Sequence, residues 1–299
     1  MNWSEITLRA ITTKRLFYFD KEVNSTCTRI CRQLDIEVFP DYSGQSYYKY
    51  NETTDTWKKK GITKKQKTTF DSLIFDDRLK DKFESSPSQI LFVFEDDLFQ
   101  GIVHFTDYGK KVVYHDLYKN FFEFEKKLKE FLIIKGFGAD AFIKFFQFRA
   151  DKSPKKRDEY LKKKQRIEKE KVNYPLDSLF TIDLLEFCYS SFHDLNGDEK
   201  PLIIMDSEKT AINKLRNLIM HNKDNTGISS TMPHDYTKFK SEFFEPVQIF
   251  KKIFAVLNKK IEVYNIAQRP VLNKIWLSNL NKISDSELHR LFFDYEKYI

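Results

Sequence analysis

The sequence predicts an α+β module of about 112 residues followed by an all-α helical bundle. Two observations carry that expectation. The first part runs through helix, strand, strand twice, and near Tyr114 the spacing of apolar residues changes from period two to steps of three and four. A third concerns turns: eight Gly and eight Pro in 299 residues are too few for an all-β sandwich or barrel, which spends turn residues every ~8 to 12 positions. With 41% hydrophobic residues, 29 Phe and 15 Tyr, the chain has ample material for a core, which excludes disorder over most of its length.

In chain order, Thr26 to Leu34 reads as a helix, then Ile36 to Phe39 and Ser46 to Tyr50 as strands. The second unit is a helix over Phe70 to Phe83, then strands over Gln89 to Phe94 and Phe99 to Phe105. Tyr114, Leu117, Tyr118, Phe121, Phe124, Leu128 and Phe131 line one face of a long helix. Further helices are expected at about 155 to 171, 181 to 192, 206 to 221, 236 to 265 and 284 to 297, with Gly227 to Pro233 as the clearest loop. The expected domains are 1–112 and 113–299.

No apolar run reaches the ~18 residues of a membrane span, and the opening residues lack the apolar stretch of a signal peptide, so a cytoplasmic chain without a membrane partner is expected. Three Cys give no disulfide framework. Cys27 and Cys31 lie one helical turn apart without a His to complete a zinc site, and they read as buried thiols. The net charge of +7 is concentrated in two runs. Lys58 to Lys67 holds six Lys and no acid, and Lys152 to Lys171 holds ten basic and four acidic residues. Both are either solvated faces or a phosphate-binding footprint, since clustered Lys and Arg release the counterions of a polyanion.

The run Gly101-Ile102-Val103-His104-Phe105-Thr106-Asp107, after two strands joined by an acidic turn, resembles the end of a CBS module, the nucleotide-sensing pair of the cystathionine β-synthase type. Gly101 and Asp107 match that pattern, and His104 stands where the family has Thr. The resemblance implies that Asp107 holds the ribose of an adenine nucleotide, with a cyclic oligonucleotide as another possible effector. The alternative reading is that Asp107 caps the helix that follows.

The most informative segment is Asp206 to Asp224. Asp206 or Ser207 can cap its start. At about 100° per residue, Ala211, Ile212, Leu215, Leu218 and Ile219 form a core face, while Asn213, Arg216, Asn217, Met220 and His221 fall on the other side. Asn217 and His221 stack one turn apart, and Arg216 flanks them. Arg216-Asn217-Leu218-Ile219-Met220-His221 is similar to the motif of the HEPN ribonucleases: Arg, a polar residue, three variable residues and His. That resemblance implies a metal-independent endoribonuclease, active as a homodimer or larger self-assembly and requiring no cofactor. Its role would be that of a toxin or an antiviral defence effector, with RNA as substrate and an antitoxin or defence-system protein as possible partner.

The residue types suit the chemistry. RNA carries its own nucleophile in the 2′-hydroxyl, so the protein need only move protons and stabilise charge on phosphorus. His transfers protons near neutral pH, and the Arg fork grips phosphate oxygens. Arg216, Asn217 and His221 are therefore the candidate catalytic residues, and Lys58, Lys59, Lys60, Lys162, Lys163 and Lys164 the candidate RNA contacts. Phosphate-binding Gly loops, Ser-His-Asp and His-Glu-x-x-His patterns are absent from the sequence, and Asp76-Asp77 and Glu95-Asp96-Asp97 read as turn or helix-end acids. His115, His193, His234 and His289 read as ordinary surface or core residues. A second function class stays open: a nucleotide-sensing adaptor whose helical bundle only dimerises.

Overall fold

A computed structural model of the chain describes residues 5–34, 36–170, 176–177, 179–189, 204–221 and 235–280. The expected helix over 284–297 and the loop Gly227 to Pro233 lie outside them, as do His193, His234 and His289.

The first part contains two three-stranded sheets, each with a helix before its main hairpin. Helix α1 (Asn24–Leu34) precedes the antiparallel meander β1 (Val38–Pro40), β2 (Ser46–Asn51) and β3 (Thr56–Gly61). Strand β4 (Lys67–Thr69), helix α2 (Asp77–Ser85) and strands β5 (Ile90–Glu95) and β6 (Leu98–His104) follow. Here β5 is central, parallel to β4 and antiparallel to β6. Its six residues ILFVFE are almost wholly buried, the pattern of a strand covered on both faces. The β5–β6 turn is Asp96-Asp97, both left-handed at φ 49° and 62°, which is the geometry a two-residue hairpin turn requires. The two sheets share a small core in which Val38 and Tyr47 meet Ile90, Phe92 and Phe94. Gly101 is required by a close approach: a Cβ there would sit 2.5 Å from the carbonyl oxygen of Thr13, whose backbone bridges Ile102.

One expected helix is shorter than its pattern suggested. The stretch Phe70 to Asp76 is a turn after β4, and α2 begins at Asp77, where the Asp76 carboxylate accepts the Arg78 N–H at 2.9 Å. Phe70, Ile74 and Phe75 are buried as loop residues, pinned by Leu8 N–H to the Ser72 carbonyl and Ile74 N–H to the Ile6 carbonyl.

A short 3₁₀ turn, Phe105–Gly109, passes directly into α3 (Lys111–Ile134). Then follow α4 (Ala139–Lys152), α5 (Arg157–Glu170), α6 (Thr181–Tyr189), α7 (Asp206–His221), α8 (Tyr236–Phe239), a π-helical turn over Lys240–Phe244, and α9 (Glu245–Leu280). Among the described residues no strand follows His104. Helix α4 was not anticipated, although Phe142, Phe145 and Phe146 at helical spacing bury one face of it. Gly136, at φ 83°, ends α3 in the left-handed conformation that Gly adopts without cost. The apolar face of α3 is as expected, except that Tyr118 is exposed. Phe121 stacks on Phe250 of α9 at 4.0 Å between ring centroids, and Phe124 meets Phe250 and Phe254 edge-on. The largest cluster of buried side chains takes Leu8, Phe75 and Val103 from the first part and Phe124, Leu215 and Phe250 from the helices.

Candidate functional site on helix α7

Helix α7 packs against α9, α6 and α3 through Ile212, Leu215 and Ile219, all buried, while Ala211 and Leu218 are half-buried at the edges of that face. Its start is held by Glu208, which reaches back to accept the Met205 N–H at 3.0 Å, so neither Asp206 nor Ser207 supplies the expected cap. Asp206 instead pairs with Lys209 at 3.0 Å. Arg216 lies beside the core face and is half-buried, Asn217 is exposed, and His221 is the last residue of the helix. The His221 side chain lies outside the described part.

Arg216 aims its guanidinium over the ring of Phe180, with Cζ 6.0 Å from the ring centroid. Arg166 of α5 approaches the same ring, at 5.0 Å. The Nε of each is buried and finds no hydrogen-bond partner among the described residues, and neither forms an ion pair there. Nearby acids are already committed. Asp183 takes Lys163 at 2.8 Å and caps α6 by accepting the Phe180 N–H at 3.1 Å. Glu186 takes Arg149 at 3.5 Å and Lys209 at 3.9 Å. Phe180 is thus fixed from two sides, since Glu125 of α3 accepts both the N–H and the hydroxyl of the next residue, Thr181. Its ring is nevertheless 51% exposed.

The basic run on α5 divides on inspection. Lys162 is exposed. Lys163 is absorbed between Asp183 and Glu159: burial is the largest influence and favours its neutral form, but the hydrogen bonds and charges of Asp183 and Glu159 together outweigh it and raise its pKa. Lys164 donates to Gln147 at 2.9 Å and lies 3.8 Å from Glu168. Lys58, Lys59 and Lys60 lie exposed on β3, an edge strand, where Lys59 pairs with Asp41 at 2.8 Å and holds that carboxyl down at about 2.

Asp107 borders a cleft of about 650 Å³ between the two sheets, lined also by Arg15, Glu37, Ser88, His104 and Thr106. Its carboxylate accepts the His104 N–H at 2.7 Å and the Thr13 hydroxyl at 3.2 Å, and meets Lys110 at 2.8 Å. It thus closes the start of the 3₁₀ turn in which it sits, whereas α3, which follows, begins after Lys110 without a side-chain cap. Glu37 faces the same cleft, its carboxyl held below the usual carboxylate range by Ser88 and Lys49. Cys27, Cys31 and Cys188 are buried thiols outside any disulfide; burial raises Cys188 to about 12.

Sequence reasoning missed Arg166 and Phe180. Arg166 was hidden inside a run read for its total charge, and Phe180 stands alone between helices without a periodic pattern. Comparison with protein-family models, curated proteins and solved structures gives no match for this chain.

Proposed function

We propose that the chain is a metal-independent endoribonuclease of the HEPN type, acting as a homodimer, with a CBS-like module in front of its helical bundle. The observation that carries the reading is the placement of Arg216, Asn217 and His221 along the last turns of α7, with an Arg216 guanidinium that lacks an acidic partner among the described residues. An Arg in that state is available to an anion, and a fixed, partly desolvated donor favours charge that develops on a phosphate.

In the proposed reaction His221 takes the proton of a 2′-hydroxyl. The O2′ then attacks the adjacent phosphorus, and the bond from phosphorus to O5′ breaks. O5′ receives a proton from a second His221, supplied by another copy across a two-fold axis, because one helix offers a single His on one side of the phosphate. Arg216 holds the non-bridging oxygens and Asn217 orients the RNA or the neighbouring side chains. The products are a 2′,3′-cyclic phosphate and a free 5′-hydroxyl. A toxin or defence role follows from the resemblance of the motif, with an antitoxin or defence-system protein as the matching partner.

The cleft beside Asp107 favours a second reading, a nucleotide-sensing adaptor with an inert bundle. Incubating the full chain with single-stranded RNA in EDTA separates the two. Cleavage lost at least a hundredfold in both Arg216→Ala and His221→Ala is expected of the enzyme. Equal background degradation by wild type and both variants would count against the enzyme and support the adaptor.

A further inference from the structure

We propose that Arg166 of α5 is a second phosphate-binding residue of the α7 site, gripping a backbone phosphate of bound RNA next to the one held by Arg216. The inference rests on the ribonuclease reading and adds a residue that the motif does not contain.

Two cations meet at one aromatic ring. With Cζ atoms 5.0 and 6.0 Å from the Phe180 centroid, the two guanidinium groups can be no farther apart than the sum of those distances. Like charges so placed repel, and a protein ordinarily offsets such repulsion with a carboxylate. Among the described residues, carboxylates on the same and neighbouring helices are engaged elsewhere: Glu168 with Lys164, Asp183 with Lys163, Glu186 with Arg149 and Lys209, Asp206 with Lys209. Both Nε atoms are buried with no acceptor among the described residues, which leaves the guanidinium ends as the donors that face a ligand. Successive phosphates of an RNA strand supply acceptors in pairs, and each guanidinium can engage one through two parallel N–H donors.

The platform is built to hold this pair. Phe180 precedes α6, its N–H is tied to Asp183, Asp183 is tied to Lys163 on α5, and Thr181 is tied to Glu125 on α3. The ring therefore cannot drift from either helix without breaking buried polar contacts. Lys163, one turn before Arg166, serves as the strut of this platform, and Arg166 is the residue of the run that is left for the strand.

The test measures binding apart from cleavage. A fluorescein-labelled single-stranded RNA of twelve nucleotides, 2′-O-methylated throughout so that it lacks the nucleophile, is titrated with the full-length wild type, Arg166→Ala and Arg166→Lys at several salt concentrations. Arg166→Ala is expected to weaken binding about tenfold and to reduce the slope of log affinity against log salt by about 0.7, the value for one phosphate contact on a single strand. Arg166→Lys is expected to restore the slope but not the single-turnover cleavage rate on unmodified RNA, since it keeps the charge and loses the fork. Melting temperatures are not expected to fall, because the Arg166 head makes no hydrogen bond or ion pair among the described residues and its removal relieves the repulsion from Arg216. If Arg166→Ala does not fold, Arg166→Gln carries the same comparison. Wild-type affinity and slope in the uncharged variant would overturn the proposal, and so would a wild-type chain that binds no RNA. If wild type binds with Arg166 dependence but cleaves nothing, the ribonuclease reading falls while the phosphate grip stands; cleavage indifferent to Arg166, with unchanged binding, gives the reverse.

Discussion

Asp183 is 2% exposed at its side chain and keeps its place because Lys163 and the Phe180 N–H satisfy it. Removing the partner of a buried ion costs more than the pair itself contributes, because the remaining group is left desolvated. Lys163→Ala should therefore destabilise the protein by about 3 kcal/mol in denaturant unfolding, reduced somewhat by solvent reaching the Lys side. In the same measurement Lys162→Ala, on an exposed side chain, should fall within about 0.5 kcal/mol of wild type. Equal, negligible effects would show that Lys163 is a surface charge like its neighbour. The contrast also shows where single-residue reading stopped. Lys162, Lys163 and Lys164 are indistinguishable as letters, and only the arrival of Asp183 from another helix makes one of them structural. The place of Arg216 on α7 was legible because residue type and spacing repeat within one helix, whereas the place of Arg166 beside it depends on a ring contributed from elsewhere in the chain. Asp107 was half legible: its capping role follows from local spacing, and the cleft beside it requires both sheets.

At the scale of elements, hydrophobic period was the dependable guide. It located α3 and α7 and set the buried face of each, since a helix of three or more turns repeats its apolar face often enough to stand out. Short elements failed that test. The three-residue β4, Lys67-Thr68-Thr69, carries no apolar pattern at all, and the turn from Phe70 to Asp76 carries the apolar letters of a helix although it only links β4 to α2. Between α9 and α3, Phe250 is a central contact, since it stacks on Phe121 and meets Phe124 edge-on beside Phe254. Phe250→Ala should cost about 3 to 5 kcal/mol by urea unfolding, the range for a buried aromatic whose cavity cannot collapse. Phe250→Leu, which refills most of the volume, should recover most of that loss. A loss below about 1 kcal/mol for the Ala variant would mean that α9 is not packed on α3 as described.

Across the whole molecule, the α+β opening and the helical remainder were both legible from turn scarcity and from the change of period at Tyr114. Less legible was how closely the parts are joined: Phe105–Gly109 leads into α3 at Lys111 without a linker, and Leu8, Phe75 and Val103 pack in the same buried cluster as Phe124 and Leu215. A ligand in the cleft beside Asp107 would therefore act on a body continuous with α3, the helix against which α7 packs. What such coupling would regulate depends on the chemistry at α7, and the proposed chemistry would leave a specific mark on its product. The most direct measurement is mass spectrometry of RNA cleaved in EDTA by the full chain, alongside a substrate carrying a single 2′-deoxy nucleotide at the cleaved position. The account predicts a 2′,3′-cyclic phosphate on the 5′ fragment, a free 5′-hydroxyl on the other, and no cleavage at the 2′-deoxy position. A 5′-phosphate product, or cutting that survives removal of the 2′-hydroxyl, would contradict it.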